Sequence, residues 1–371
     1  MLIGVPKEIK SHEHRIGLTP AGVSELISAG HNVMIQKGGG DGIGISDDEY
    51  GIMGANIVVS AEEIFGQADL LVKVKEPQPK ECKMLRPGQI LFTYLHLAPD
   101  PFQTELLLAS GATAIAYETI TDKRGGLPLL APMSEVAGRL SVQQGAQCLQ
   151  KAHGGSGILL GGVPGVKPAK VCILGGGVVG LNAARVAVGL GANVSIIDQS
   201  LPRLRYIDDI YGERVNTLFS TKTSILEQVA RSDLTIGAIL TPGATATKLV
   251  TRDMLKLMKP YSVLVDVAID QGGCFESSRA TTHTDPIFSI ENVIHYCVAN
   301  MPGIVPRTST FALTNATLPF VIKLASTGLS SLGEDPHLMA GLNIHDEQVT
   351  FKAVADALGY HYTPPEVAIG I

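Results

Sequence analysis

Cysteine is scarce and scattered in this chain. Cys82, Cys148, Cys172, Cys274 and Cys297 form no C-x-x-C pair and sit beside no histidine cluster. That excludes a disulfide framework and a thiolate zinc site, so reduced thiols and no metal are expected. Runs of lysine and arginine are also missing. With a net charge of −6 the chain offers no basic stripe to a phosphate backbone, which excludes nucleic acid as a partner. No stretch of about 18 apolar residues is free of charge, so no transmembrane helix and no membrane partner are expected. The first residues, MLIGVPKEIK, place Lys7, Glu8 and Lys10 where a secretory leader needs its apolar core. A cytoplasmic protein is the expectation. What is present is 371 residues, 45% of them hydrophobic and 17% charged. This is material for ordered cores, and at about 150 residues per domain it suggests two.

The stretch Lys170 to Asp198, KVCILGGGVVGLNAARVAVGLGANVSIID, carries a β-α-β unit for a dinucleotide. Val171 to Leu174 reads as a strand, Gly175, Gly177 and Gly180 fall in G-x-G-x-x-G spacing, Leu181 to Leu190 reads as a small-residue helix, and Asn193 to Ile197 as a second strand ending on Asp198. The first glycine permits the tight turn, the second lets a pyrophosphate approach, and the third lets helix and strand pack closely. The helix N-terminus then offers N–H groups and partial positive charge to the phosphates. Asp198 stands where a carboxylate accepts hydrogen bonds from both ribose hydroxyls and repels a 2′-phosphate, so NAD is expected rather than NADP.

Before residue 130, Leu2 to Val5, His31 to Gln36, Ile57 to Val59, Leu70 to Lys75, Ile90 to His96 and Thr113 to Tyr117 read as strands alternating with helices; the clearest of these begins at Thr19 with Pro20 in its first position. Residues 131 to 152 read as one long helix, followed by a glycine-rich loop. Leu234 to Leu240, Ser262 to Ile269 and Asn292 to Val298 extend the second sheet. Residues 306 to 326 and Glu347 to Leu358 read as further helices. The expected fold is α/β: two doubly wound, parallel-sheet, Rossmann-like domains joined by long helices. The first is discontinuous, 1–130 plus 305–371, and would hold substrate. The second, 131–304, would bind NAD.

Ligands of open α/β sheets bind outside the carboxyl ends of the strands. Lys75 closes the run DLLVKVKEP and either faces such a crevice or is simply solvated. His96 closes ILFTYLH and suits proton transfer, or is a satisfied structural histidine. Asp270 follows the apolar run VLVDVAI and either reaches a cleft or caps a turn. Arg15, before the Thr19 helix, suits a carboxylate with its planar fork, or lies on the surface.

Several segments together resemble the alanine dehydrogenase family: IGVPKEIKSHEHRIGLTPAGV, VKVKEP, YLHLAPD, MSEVAGRLS, GGVPGV before KVCILGGGVVG, LVDVAIDQGG, THTDPIF and YCVANMPGIVPRTST. The resemblance covers nearly the whole chain, and YLHLAPD with DVAIDQGG is its most specific part. It implies oxidative deamination of L-alanine to pyruvate and ammonium with NAD, and the reverse. It assigns Arg15 and Lys75 to substrate binding, His96 to acid/base work and Asp270 to the reacting carbon. For the cofactor it assigns Ser134, Gly175, Gly177, Val178, Val179, Gly180, Asp198, Arg203, Ser220, Ile239, Leu240, Val267 to Asp270, Arg279, and Val298 to Met301, including Asn300. It also implies a homo-oligomer, commonly a hexamer. Two alternatives stay open: the NAD(H)-binding subunit of a proton-translocating transhydrogenase, which is similar at the N-terminal motif, and a dehydrogenase acting on glycine and glyoxylate.

Overall fold

Short buried runs between helices build the first sheet of the computed structural model, which describes residues 1–239 and 246–370. Its strands are β1 (Leu2–Val5), β2 (Asn32–Gln36), β3 (Asn56–Val58), β4 (Leu70–Val72), β5 (Ile90–Thr93) and β6 (Thr113–Ala116). The second sheet has β7 (Lys170–Leu174), β8 (Asn193–Asp198), β9 (Val215–Phe219), β10 (Leu234–Gly237), β11 (Val263–Asp266), β12 (Ile287–Ile290) and β13 (Val293–Tyr296). Late in the chain, β14 (Leu342–His345) and β15 (Gln348–Val349) return to the first sheet. The orders are β15-β14-β6-β5-β4-β1-β2-β3 and β12-β13-β11-β10-β7-β8-β9.

Both sheets therefore repeat one winding, in which the chain steps outward twice from its first strand and then crosses to the other side. The reversal falls between β1 and β4 in the first sheet and between β7 and β10 in the second. These are the switch points at which parallel sheets open a crevice. Strands β4, β5, β6, β10 and β11 are buried at every residue, as expected where helices cover both faces.

Contacts divide the chain into Met1–Met133 with Val305–Ile371, and Ser134–Ile304. The first unit is cored by residues such as Phe65, Leu71, Leu91, Leu107 and Ile344, and the second by Cys172, Leu174, Val229, Leu264 and Phe275. Burying each such side chain contributes about 1.5–3 kcal/mol.

The sheets depart from a purely parallel pattern at their edges, where β14 and β12 pair antiparallel with β6 and β13. Several strands end sooner than the sequence predicts: β6 stops at Ala116 rather than Tyr117, β10 at Gly237 rather than Leu240 and β13 at Tyr296 rather than Val298. β4 stops at Val72 rather than Lys75, β5 at Thr93 rather than His96, and β11 at Asp266 rather than Ile269, where a 3-10 turn Val267–Gln271 takes over. The regular ladders end there, at Val72 with Phe92 and at Gly237 with Asp266, and beyond Val72 only the bonds of Lys73 N–H to Phe92 O and Tyr94 N–H to Val74 O still join the segment to β5, side chains holding the rest. The helix Ala131–Cys148 is shorter than 131–152 and gives way to the 3-10 turn Lys151–His153. The expected helix from Glu347 is replaced by β15 and then a helix over Lys352–Leu358. The nucleotide helix starts at Val178 rather than Leu181.

Candidate active site

In the first unit, charge is buried in pairs. Arg15 is 2% exposed. Its Nε and Nη2 donate to the two carboxylate oxygens of Glu13 at 2.7 and 2.6 Å, and its Nη1 lies 3.0 Å from Met133 Sδ. Burial alone would lower its pKa, but the hydrogen bonds to Glu13 and the attraction behind them raise it. Arg15 is thus an interior residue, not a surface one.

Lys75 is also buried, three residues beyond the end of β4, with its ammonium 3.9 Å from Glu76 Oε2. Glu76 also receives Lys10. Burial works to raise the Glu76 pKa, yet the attraction of Lys75 and Lys10 outweighs it and the carboxyl is held down. Beneath this pair, Lys73 is fully buried between two carboxylates, Glu8 Oε2 at 3.0 Å and Glu81 Oε1 at 2.7 Å. Burial opposes the Lys73 charge, and attraction to Glu8 and Glu81 overrides it to raise the pKa. Breaking such a buried set by removing one partner costs about 3–5 kcal/mol.

His96 follows β5 with a left-handed φ of 50°. Its ring stacks on Tyr94 at 5.8 Å, and its Nδ1 is 3.8 Å from Glu118 Oε1. Glu118 also accepts the His96 backbone N–H at 2.6 Å and that of Leu95 at 3.1 Å. The Tyr94 hydroxyl donates to Leu129 O at 2.6 Å, so the platform under the imidazole is fixed. The imidazole is 39% exposed, which leaves it open to solvent and to proton exchange.

In the second unit, backbone rather than side chains shapes the site. Gly175 turns at a φ of 103°, and a Cβ on Gly180 would come within 1.8 Å of Gly175 O. A Cβ on Gly177 would meet no protein atom within 4 Å, so the space over the turn is open to a ligand. The helix Val178–Gly189 has no side-chain cap, leaving its first-turn N–H groups of Val178 and Val179 for an anion. Asp198 Oδ2 accepts Gly176 N–H at 2.7 Å and Oδ1 accepts Ser200 N–H at 2.8 Å. An ionised carboxylate has about four acceptor positions, so ribose hydroxyls can still be taken up. The Arg203 Nε donates to Gly176 O, and Ser220 N–H donates to Asp198 O at 3.0 Å. Ile239 lies beside the turn, its Cγ2 being 3.1 Å from where a Gly175 Cβ would stand. Ser134 lies one helical turn before Gly138, whose Cβ would come within 2.3 Å of Val179 O. The helix carrying Ser134 therefore runs against the first turn of the nucleotide helix.

These contacts bring Gly175 to Gly180, Asp198, Arg203, Ser220, Ile239 and Ser134 to one end of β7, β8 and β10. Leu240 lies outside the described residues. Val267 to Asp270 form the 3-10 turn after β11, with Asp270 exposed. Arg279 is exposed and stacks over Phe288 at 4.1 Å. Val298 and Met301 are buried after β13, and between them Asn300 takes a φ of 59°.

Reasoning from residue types alone missed Glu8, Glu13, Lys73, Glu81, Glu118 and Asp266. Asp266 is fully buried at the end of β11. It accepts N–H groups of Ala268, Cys274 and Phe275 at 3.1, 2.9 and 3.4 Å together with the Ser278 hydroxyl, and so closes the loop that presents Asp270. The available signal was an acid inside an apolar run, which is worth asking about because an unpaired buried carboxylate is costly.

Two family models cover the chain: alanine dehydrogenase/PNT, N-terminal domain, over residues 4–137, and alanine dehydrogenase/PNT, C-terminal domain, over residues 141–352. The chain belongs to the alanine dehydrogenase/PNT family. Within that family it is 58% identical to the alanine dehydrogenase of Halomonas elongata over 371 residues, covering 100% of both chains. It is 53% identical to that of Bacillus subtilis, covering 100% of this chain and 98% of the other. Its fold matches a solved L-alanine dehydrogenase with a TM-score of 0.94 at 50% identity, over 97% of this chain and 99% of that one. A transhydrogenase from Sinorhizobium meliloti matches with a TM-score of 0.83 at 24% identity, over 94% of this chain and 100% of that one, a likeness of fold alone. The family ranges enclose Arg15, Lys75, His96 and Ser134 in the first and Gly175 to Met301 in the second.

Proposed function

We propose that this protein interconverts L-alanine with pyruvate and ammonium, using NAD. The observation that carries this reading is the end-to-end match to proteins named alanine dehydrogenase. It is joined by a buried cation, a solvent-accessible histidine and a buried arginine in the first unit and a glycine turn with Asp198 in the second.

NAD, when bound, supplies the acceptor for the hydride of alanine Cα. Gly175 to Gly180 and the Val178 helix end would hold its pyrophosphate, and Asp198 its adenosine ribose. Arg15 and Lys75 would bind the carboxylate and carbonyl region of the substrate, turning a free encounter into an oriented one. The imidazole of His96 takes a proton from the water that adds to the imine carbon, then returns one to the departing amine. Glu118, 3.8 Å from Nδ1 and bonded to the His96 backbone N–H, fixes where the ring stands. Asp270 carries negative charge toward the cationic imine. We further read the protein as a cytoplasmic homohexamer.

The discriminating assay is NADH oxidation with pyruvate, with glyoxylate, and with each in the absence of ammonium. Ammonium-dependent oxidation with pyruvate as the better substrate supports the proposal. One methyl group in an apolar pocket discriminates by only about 1–3 kcal/mol, so a residual glyoxylate rate of roughly 1–10% is expected. Oxidation that ignores ammonium, or a preference for glyoxylate, would overturn it.

A further inference from the structure

At the switch point of the first sheet, β1 and β4 part company after pairing through Gly4 and Leu71. The chain beyond β4, Lys73 to Lys75, therefore loses its neighbour on the β1 side while remaining inside the protein. Its other polar groups are accounted for. Lys73 N–H donates to Phe92 O at 3.1 Å, Lys73 O accepts the Tyr117 hydroxyl at 2.9 Å, Val74 O accepts Tyr94 N–H at 3.3 Å, and Lys75 O accepts the Thr93 hydroxyl at 2.9 Å. The two N–H groups left facing the gap, those of Val74 and Lys75, both donate to one oxygen of Glu8, at 2.7 and 3.3 Å. The other Glu8 oxygen receives the Lys73 ammonium. Burial raises the Glu8 pKa even though Lys73 pulls it down, and the lysine beside it supplies the counter-charge.

We propose that Glu8 is a positioning residue: its carboxylate stands in for the absent strand and fixes the backbone from which Lys75 reaches its substrate, with Lys73 present to neutralise that carboxylate. The proposal rests on the reading of Lys75 as a substrate-binding residue. A merely stabilising ion pair would not need both backbone N–H groups on a single oxygen. It would lower the amount of folded enzyme without altering how that enzyme binds pyruvate.

The test uses two variants of the full-length protein, both of which keep Lys73 paired with Glu81. Glu8→Gln keeps an acceptor oxygen for the two N–H groups while removing the Glu8 charge. Glu8→Leu removes the acceptor as well. Amide hydrogen exchange over residues 70–78 and the KM values for pyruvate and NADH are measured on each. The leucine variant is expected to exchange the Val74 and Lys75 amides at least tenfold faster and to raise the pyruvate KM at least tenfold, with the NADH KM unchanged. The glutamine variant is expected to stay within about threefold of the parent in all of these. Unchanged exchange in the leucine variant would overturn the role of Glu8 as the acceptor, and faster exchange with an unchanged pyruvate KM would overturn the positioning of Lys75. If the leucine variant does not fold, a glutamine variant that also loses pyruvate affinity tenfold would overturn the proposal by itself. A parent protein that does not use pyruvate contradicts the proposed function, whereas the exchange result still decides whether Glu8 pins the segment.

Discussion

The two units share the winding of their first five strands yet hold charge differently around their candidate sites. In the first, Arg15 with Glu13 and Lys73 with Glu8 and Glu81 are buried as ion pairs, and Lys75 and His96 sit just past the strands that these pairs brace. In the second, Asp266 is buried on backbone N–H groups and a hydroxyl, and His295 is buried close to Ser277 Oγ and Val293 O. Under the proposed function the contrast follows from what each unit binds. A small acid undergoing proton transfer needs side chains held at fixed points. A dinucleotide presents phosphates and ribose hydroxyls that backbone turns and one carboxylate can take up.

The contrast is broken most severely at Gly180. A methyl group there meets a carbonyl oxygen, so Gly180→Ala should cost about 3 kcal/mol of stability and reduce NADH affinity by roughly a hundredfold. Nucleotide fluorescence titration reads this directly; an affinity within threefold of the parent would mean that the turn is not set by helix–strand packing.

A smaller effect should appear on acidification. Burial pushes the His295 pKa down to about 4 from an ordinary 6.5, and the charges of Arg252 and Arg279 push the same way. Because the folded value lies below the unfolded one, the unfolded chain takes up the proton first. Stability is therefore complete above pH 6.5 and falls as pH drops toward 4, by roughly 3 kcal/mol. Urea midpoints measured across this window should fall less steeply for His295→Gln, and parallel slopes in the two proteins would remove His295 from the account.

The smallest expected change is at Asp198. Asp198→Asn keeps an acceptor for the glycine turn but loses the charge. NADH affinity should drop roughly tenfold, about 1.4 kcal/mol, while NADPH use rises from a negligible level. An unmodified enzyme that already accepts NADPH as readily as NADH would show that Asp198 does not read the ribose.

The same contrast explains what could be read from the sequence. The nucleotide turn is a matter of backbone, and backbone constraints leave glycines at fixed spacing, so Gly175, Gly177, Gly180 and Asp198 were visible in order. The first unit is built from side chains that meet only after folding. Glu8 and Lys73 are 65 residues apart, and nothing local joins them. Lys75, His96 and Arg15 were visible as candidates, but residue type alone left each with an ordinary alternative, and family resemblance favoured one. Alternation also carried β4, β5 and β11 too far, because an apolar run continues past the last ladder bond wherever the segment beyond it stays buried. β9, β12, β14 and β15 went unread: β9 and β12 are edge strands that are mostly not buried, and β14 and β15 have only four and two residues.

The central claim is that proton transfer belongs to the first unit and nucleotide recognition to the second. It is tested most directly by titrating His96→Ala with NADH while following its alanine oxidation. The account predicts an NADH Kd within about twofold of the parent and a turnover reduced by roughly 10²–10⁴-fold. Parental turnover, or an NADH affinity that falls as far as the turnover, would contradict it.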